Sequence, residues 1–367
     1  MRMNTPDPSA TPLKTKQHFE ILDGLRGIAA VAVVIFHFME FAVPDYNKNF
    51  IAHAYLAVDF FFCLSGFVIA YAYDNKLQKI GVSSFLKLRL IRLHPLVIIG
   101  SVLGLLTFVF DPFSNLYTTY GFGKTFLMFL SSCLLIPYPV VHERYFNLFH
   151  LNPPTWSLFW EYIANIFYAV ILYKLRNKIL WVLTVIAAIS LCYEAYDSHY
   201  LGVGWGGDNF IGGGIRIFYS FLIGMLVYRS SWIIKYHIGF ISMGILLAIA
   251  FSIPFSDKVN WITDSLIVLF YFPFLVALGA GARLSSHFLT KICKFSGEIS
   301  YPLYIIHYPF LWIFLSYLEA KKPPMSQIEI IIPIGVLLLI VLAYTIMFFL
   351  DIPLRRSLTH KMKKSLQ

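Results

Sequence analysis

The chain has 367 residues, of which 58% are hydrophobic and only 13% charged, with a net charge of +10 and a mean hydropathy of +0.70. Soluble domains run about 45–50% apolar and about 25% charged. Disorder, collagen-like repeats and a secreted disulfide scaffold are therefore excluded, and the solvent suited to this surface is a bilayer.

Residues 1–20 are polar and Pro-containing and are expected to form a mobile cytoplasmic tail. No cleavable signal peptide is expected: the first apolar run carries Asp23 and Arg26, is too long for a signal core and lacks a small-residue cleavage site. Runs apolar enough for spans lie at 21–43, 54–73, 88–110, 125–141, 156–173, 179–195, 211–228, 238–255, 262–282, 299–318 and 328–350. The fourth is broken by Pro137 and Pro139 and is expected to be a re-entrant or interfacial helix within an outer-side excursion. The remaining ten then cross, giving an all-α polytopic membrane bundle with both termini cytoplasmic. In that arrangement 21 of the 29 Lys and Arg residues face the cytoplasm, 7 face outward and Arg26 lies within a span. Letting the fourth run cross inverts every later loop and spoils this positive-inside bias. The basic residues sit in short clusters between apolar runs, so nucleic-acid binding is not expected. Cys63, Cys133, Cys192 and Cys293 are far apart, with no histidine at ligand spacing, and suggest neither a disulfide framework nor a metal site.

Ionisable residues inside spans are functional candidates. In the first span, LDGLRGIAAVAVVIFHF, Arg26 and His37 are eleven residues apart. At about 100° per residue they share a face, about 16 Å apart along the axis. The small residues between them allow close approach of a neighbouring helix or a thin substrate. Asp23 is placed to pair with Arg26, and Glu40 to orient the His37 imidazole. Asp59 lies near the outer end of the second span. In the third, Lys87, Arg89, Arg92 and His94 mark a cytoplasmic mouth, where paired guanidiniums suit phosphate or lipid headgroups. Trp156 and Trp160 share a face in NPPTWSLFWEY, either as a stacking surface for a sugar or as interfacial anchors, and Glu161 enters from the outer side. Arg216 enters from that side too, and His307 sits between Pro302 and Pro309.

Taken together, LDGLRGIAAVAVVIFHF, VDFFFCLSGFVIAY, LRLIRLHPL, TWSLFWEY, RIFYSFLIGMLVY and ISYPLYIIHYP resemble the membrane-bound acyltransferase-3 family, which includes O-antigen and exopolysaccharide O-acetyltransferases. The resemblance implies an acyltransferase domain over 21–354, followed by a basic cytoplasmic tail at 355–367. It implies transfer of an acyl group, usually acetyl, from cytoplasmic acyl-CoA to an extracytoplasmic or lipid-linked saccharide, in the bacterial inner membrane. It implies that Arg26 and His37 are essential and that Arg89 and Arg92 serve the donor. Some members carry a soluble SGNH-type domain; here the chain ends at Gln367, so transfer is expected to be completed in the membrane core. On this reading Arg89, Arg92 and Arg26 receive the donor phosphates, the pantetheine arm threads along the first span, and His37 acts as general base or as a transient acyl carrier. Glu161, Trp156, Arg216, Asp59 and His307 are the further candidates, mostly for the acceptor. Acetyl-CoA is the expected donor, and membrane lipid, acyl-CoA and a saccharide acceptor are the expected partners, with no metal. The alternative is a polytopic transporter for a glycan, an acyl carrier or a proton-coupled solute, against which stands the lack of an inverted repeat or matched broken helices.

Overall fold

The computed structural model describes residues 18–364 apart from His237 and Ser285. Most of the expected N-terminal tail and the last three residues lie outside the described residues. Among the described residues eleven helices of ten or more residues form: α1 (Glu20–Ala42), α2 (Ala57–Tyr73), α3 (Val82–Val109), α4 (Leu116–Leu134), α5 (Thr155–Val170), α6 (Asn177–Asp197), α7 (Phe210–Arg229), α8 (Phe240–Phe251), α9 (Asn260–Gly281), α10 (His287–Lys321) and α11 (Met325–Lys364). Two of them, α9 and α11, each run through a π turn, at Ile267–Tyr271 and Met347–Asp351. Among the described residues, eight helices are long and apolar enough to cross a membrane: α1, α2 with its leading 3-10 turn, α3, α6, α7, α9, α10 and α11. The chain is an all-α polytopic membrane bundle. Its flank exposes large apolar side chains such as Val182, Ile189, Leu337 and Leu338, as a lipid-facing surface requires.

Each apolar run becomes a helix, but three boundaries move. α3 starts at Val82 and α10 at His287, because the polar and basic residues of their first turns and just beyond (Ser83, Ser84 and Lys87; Thr290, Lys291 and Lys294) lower the hydropathy although helix geometry accepts them. The run expected at 125–141 is instead α4, which turns sharply at Gly121 (φ 68°) and ends at Leu135 in a left-handed cap, two residues before Pro137. The basic segment from 355, expected as a tail, continues α11 as helix to Lys364.

Two helix pairs make the frame. α1 packs along α10, and α2 along α7. Both contacts depend on glycine. A Cβ on Gly66 would strike the Phe221 carbonyl, and one on Gly224 would strike the Cys63 carbonyl, so α2 and α7 meet backbone to backbone. Gly27 lies in the same way against Ser296 of α10. Gly66→Val is expected to cost about 1–3 kcal/mol through overpacking, read as a lowered unfolding temperature in detergent; an unchanged midpoint would show that the pair tolerates separation.

The two ends of the bundle differ. At one, Arg229 clamps Asp74 through Nε (2.6 Å) and Nη2 (3.0 Å) and donates to carbonyls of the α5–α6 connection. Arg26, Arg89, Arg92 and Arg355 gather on the same side of the molecule, the basic end. At the opposite, aromatic end, the connections fold over one another: Leu148 N–H donates to the Trp205 carbonyl (2.9 Å), and the buried His53 bridges the Ile253 carbonyl and Asn260.

Candidate active site

α1 sends two polar side chains against α10, three turns apart. Arg26 donates through Nε to Ser300 Oγ (2.9 Å), through Nη2 to the Gly297 carbonyl, and pairs with Asp23 (3.3 Å). Eleven residues on, His37 Nδ1 meets Glu40 Oε2 at 2.8 Å, and Tyr46 O–H donates to the other carboxylate oxygen at 2.7 Å. The carboxylate only accepts, so Nδ1 carries the proton and the Nε2 lone pair is left free. His37 stacks on His307 (centroids 5.6 Å apart, planes at 23°) and lies edge-on to Tyr308 (4.8 Å). His307 donates from Nδ1 to the Leu303 carbonyl (3.1 Å); its Nε2 is buried without a partner.

His37 opens into a cavity of about 250 Å³ at the aromatic end. Its walls are rings: Phe36, Tyr55, Trp156, Tyr304, Tyr308 and Trp205 among others. Two charged groups reach it, Glu40 and Arg216. Glu40 is occupied by His37 and Tyr46. Arg216 is occupied by Asp59, with Nε 3.2 Å from both carboxylate oxygens and Nη2 2.6 Å from one. The same guanidinium donates to the Val203 and Tyr55 carbonyls and lies over the Trp156 ring at 5.3 Å. Asp59 and Arg216, read from sequence as acceptor contacts, therefore face each other: Asp59 is 0% and Arg216 1% exposed. A buried carboxylate demands a cation with matching geometry, and here two helices supply the two halves. Trp156 does line the cavity; His307 lies one layer behind His37.

Glu161 is also placed differently from its expected outer position. It accepts from Arg89 Nη2 (2.8 Å) and Ser65 Oγ (3.0 Å), which puts it with the basic cluster. One helix turn is the cause: Ser157, Glu161 and Asn165 repeat every four residues on α5, so they form a single polar stripe. Ser157 bonds Tyr304 (2.8 Å), a wall of the His37 cavity, while Glu161 bonds Arg89. Arg92 is exposed at the mouth of α3, within electrostatic reach of Arg89, Arg26 and Arg355.

The expected thread along α1 is not open. The space beside the small residues near Arg26 is filled by α8 and α10, with Gly24 against Phe240 and Cys293 and Gly27 against Ser296, and none of the arginines of the basic cluster lines the cavity at His37. Of the two occupants that small residues permit, neighbouring helices took the space. The polar stripe of α5 is the feature that joins the two ends.

A family profile described as an acyltransferase domain matches residues 19–352. The chain belongs to the membrane-bound acyltransferase-3 family. It is similar to a protein of Rhizobium radiobacter named protein 2 in the picA locus, 36% identical over 162 residues, which is 42% of this chain and 82% of that one. It is also 26% identical over 368 residues to the O-acetyltransferase OatA of Staphylococcus aureus, covering 92% of this chain and 57% of OatA. The chain thus spans little more than half the length of that relative. No solved structure matches. Among the described residues no cluster of His, Cys, Asp and Glu is arranged to hold a metal ion.

Sequence reasoning about this family member missed the tyrosines around His37. Tyr46, Tyr304 and Tyr308 lie on three separate segments, and nothing local separates them from the remaining tyrosines among the 23 in the chain.

Proposed function

We propose that this protein is an inner-membrane O-acyltransferase of a bacterium. It carries an acyl group, acetyl by family habit, from cytoplasmic acyl-CoA to a saccharide hydroxyl presented at the outer face. On this reading the chain crosses ten times with both termini cytoplasmic, the basic end faces the cytoplasm and α4 lies on the outer-side flank.

The observation that carries the proposal is the Tyr46–Glu40–His37 chain at the floor of an aromatic cavity, opposite a guanidinium cluster. Glu40 holds the imidazole in the tautomer whose Nε2 accepts a proton and stabilises the imidazolium that follows. The acceptor enters the ring-lined cavity, where Trp156 and the tyrosines offer flat apolar faces to a sugar. His37 Nε2 takes the hydroxyl proton as the oxygen attacks the thioester carbonyl. The C–S bond then breaks, and the imidazolium returns the proton to the departing thiolate. Atoms and charge balance with no other reactant. Arg89 and Arg92 receive the donor phosphates. Arg26 fixes α1 against α10 at the donor end. The α5 stripe of Ser157 and Glu161 supplies polar partners for the pantetheine arm between the two ends.

Direct attack and a covalent acyl-imidazole are distinguished by rapid quenching with radiolabelled acetyl-CoA in the absence of acceptor. Direct attack leaves the protein unlabelled; label recovered on the His37 peptide would replace the general-base role with a relay. If the purified protein in detergent never consumes acetyl-CoA with any saccharide acceptor, the proposal as a whole is wrong.

A further inference from the structure

α11 ends in a feature that this mechanism leaves unused. After the π turn at Met347–Asp351 the helix resumes at Ile352 and carries Arg355 against α3. Single π turns shift the phase of every residue that follows and recur at functional positions. Asp351 is buried at the end of this one and accepts from Arg355 Nη2 one turn on. Arg355 is only partly satisfied by that pair. Its Nε is buried without an acceptor, and so is Nε of Arg89 across on α3. Arg92 has no carboxylate within ion-pair distance among the described residues, yet it lies within electrostatic reach of Arg89, Arg26 and Arg355.

The cluster therefore gathers four guanidiniums from three helices against Asp23, Glu161 and Asp351, with donors left over. Like charges held together without full compensation repel, and the arrangement is relieved by an anion that accepts several N–H bonds at once. Phosphate is that anion, because the planar fork of each guanidinium matches two of its oxygens. We infer that Arg355, with Arg89 and Arg92, forms a phosphate-binding site for the nucleotide end of the acyl-CoA donor. The inference rests on the acyl-CoA reading above and extends it to a residue outside the stretch matched by the family profile. Asp351 holds the guanidinium in place until the donor arrives.

The test is calorimetric titration of the purified protein in detergent with CoA. Arg355→Gln is expected to lower CoA affinity about tenfold or more, the loss of one charge-assisted contact. Undiminished CoA affinity in the variant overturns the role of Arg355. No CoA binding by the wild-type protein overturns the acyl-CoA reading itself. A measurement on the unaltered chain covers the case in which the variant does not fold. Phenylglyoxal labelling of Arg355, read by peptide mass spectrometry, is expected to fall when CoA is added and to stay level with an equal concentration of pantetheine, which has no phosphate. Equal labelling with and without CoA overturns the inference. So does protection by phosphatidylglycerol vesicles in the absence of protection by CoA, which would make this a lipid headgroup site.

Discussion

Replacing His37 with alanine is expected to lower acyl transfer by about 10²–10⁴-fold, the usual contribution of a positioned general base, in a protein that still folds. The fold survives because His37 is 21% exposed to the cavity and makes its hydrogen bond within its own helix, to Glu40 three residues on. Removing the ring frees one oxygen of Glu40, which lines the cavity, while Tyr46 keeps its bond to the other oxygen. Glu40→Gln should give a smaller loss. It preserves shape but offers one acceptor oxygen to the two donors, Tyr46 and His37, and removes the charge that favours the imidazolium, a difference of about 1.5–3 kcal/mol, or roughly 10–150-fold. The check is acetyl transfer from radiolabelled acetyl-CoA by purified variants whose elution on size-exclusion matches wild type. Full activity in the alanine variant would remove His37 from the chemistry and turn attention to His307, its stacking neighbour one layer behind, whose Nε2 has no partner.

Asp59→Ala has the opposite profile, since its effect falls on the fold. Arg216 is 1% exposed and keeps its charge, so deleting the carboxylate strands a buried cation, at a cost of about 3–5 kcal/mol. Thermal unfolding in detergent should show a large drop for the single variant. Pairing Asp59→Leu with Arg216→Met should recover most of it, because removing both charges removes the imbalance. Recovery will be incomplete by the two carbonyls, of Val203 and Tyr55, that lose their donor. If single and double variants unfold together, the ion pair is not what sets stability here. The same substitution loosens the cavity, since Arg216 carries the Trp156 ring and anchors the strand of chain that holds Tyr55.

The helices were readable from sequence because a bilayer imposes a length and a polarity on every span, and among the described residues eight of the helices that formed meet that demand locally. The facing of Arg26 and His37 was readable for the same reason: both lie on one unbroken helix, so angle and rise fix their relation. What sequence did not carry was partnership across the fold. Asp59 and Arg216 are 157 residues apart, and Glu161 and Arg89 are 72 apart. Each residue alone is a costly charge in a membrane, and cost alone does not distinguish a group waiting for substrate from one waiting for its neighbour. Arg355 was hidden differently. Hydropathy ends the last span near residue 350, and only the continuous helix through the π turn returns that basic segment to the bundle.

The interlocked contact between α1 and α10 has a further implication. It makes the first helix a stiff gauge between the basic cluster and the base, fixed by the eleven-residue advance from Arg26 to His37. On the acyl-CoA reading, the protein selects its donor by reach as well as by charge. Analogues with a shortened arm would seat their phosphates and stop short of the imidazole, so they should behave as dead-end competitors that occupy the site without being consumed.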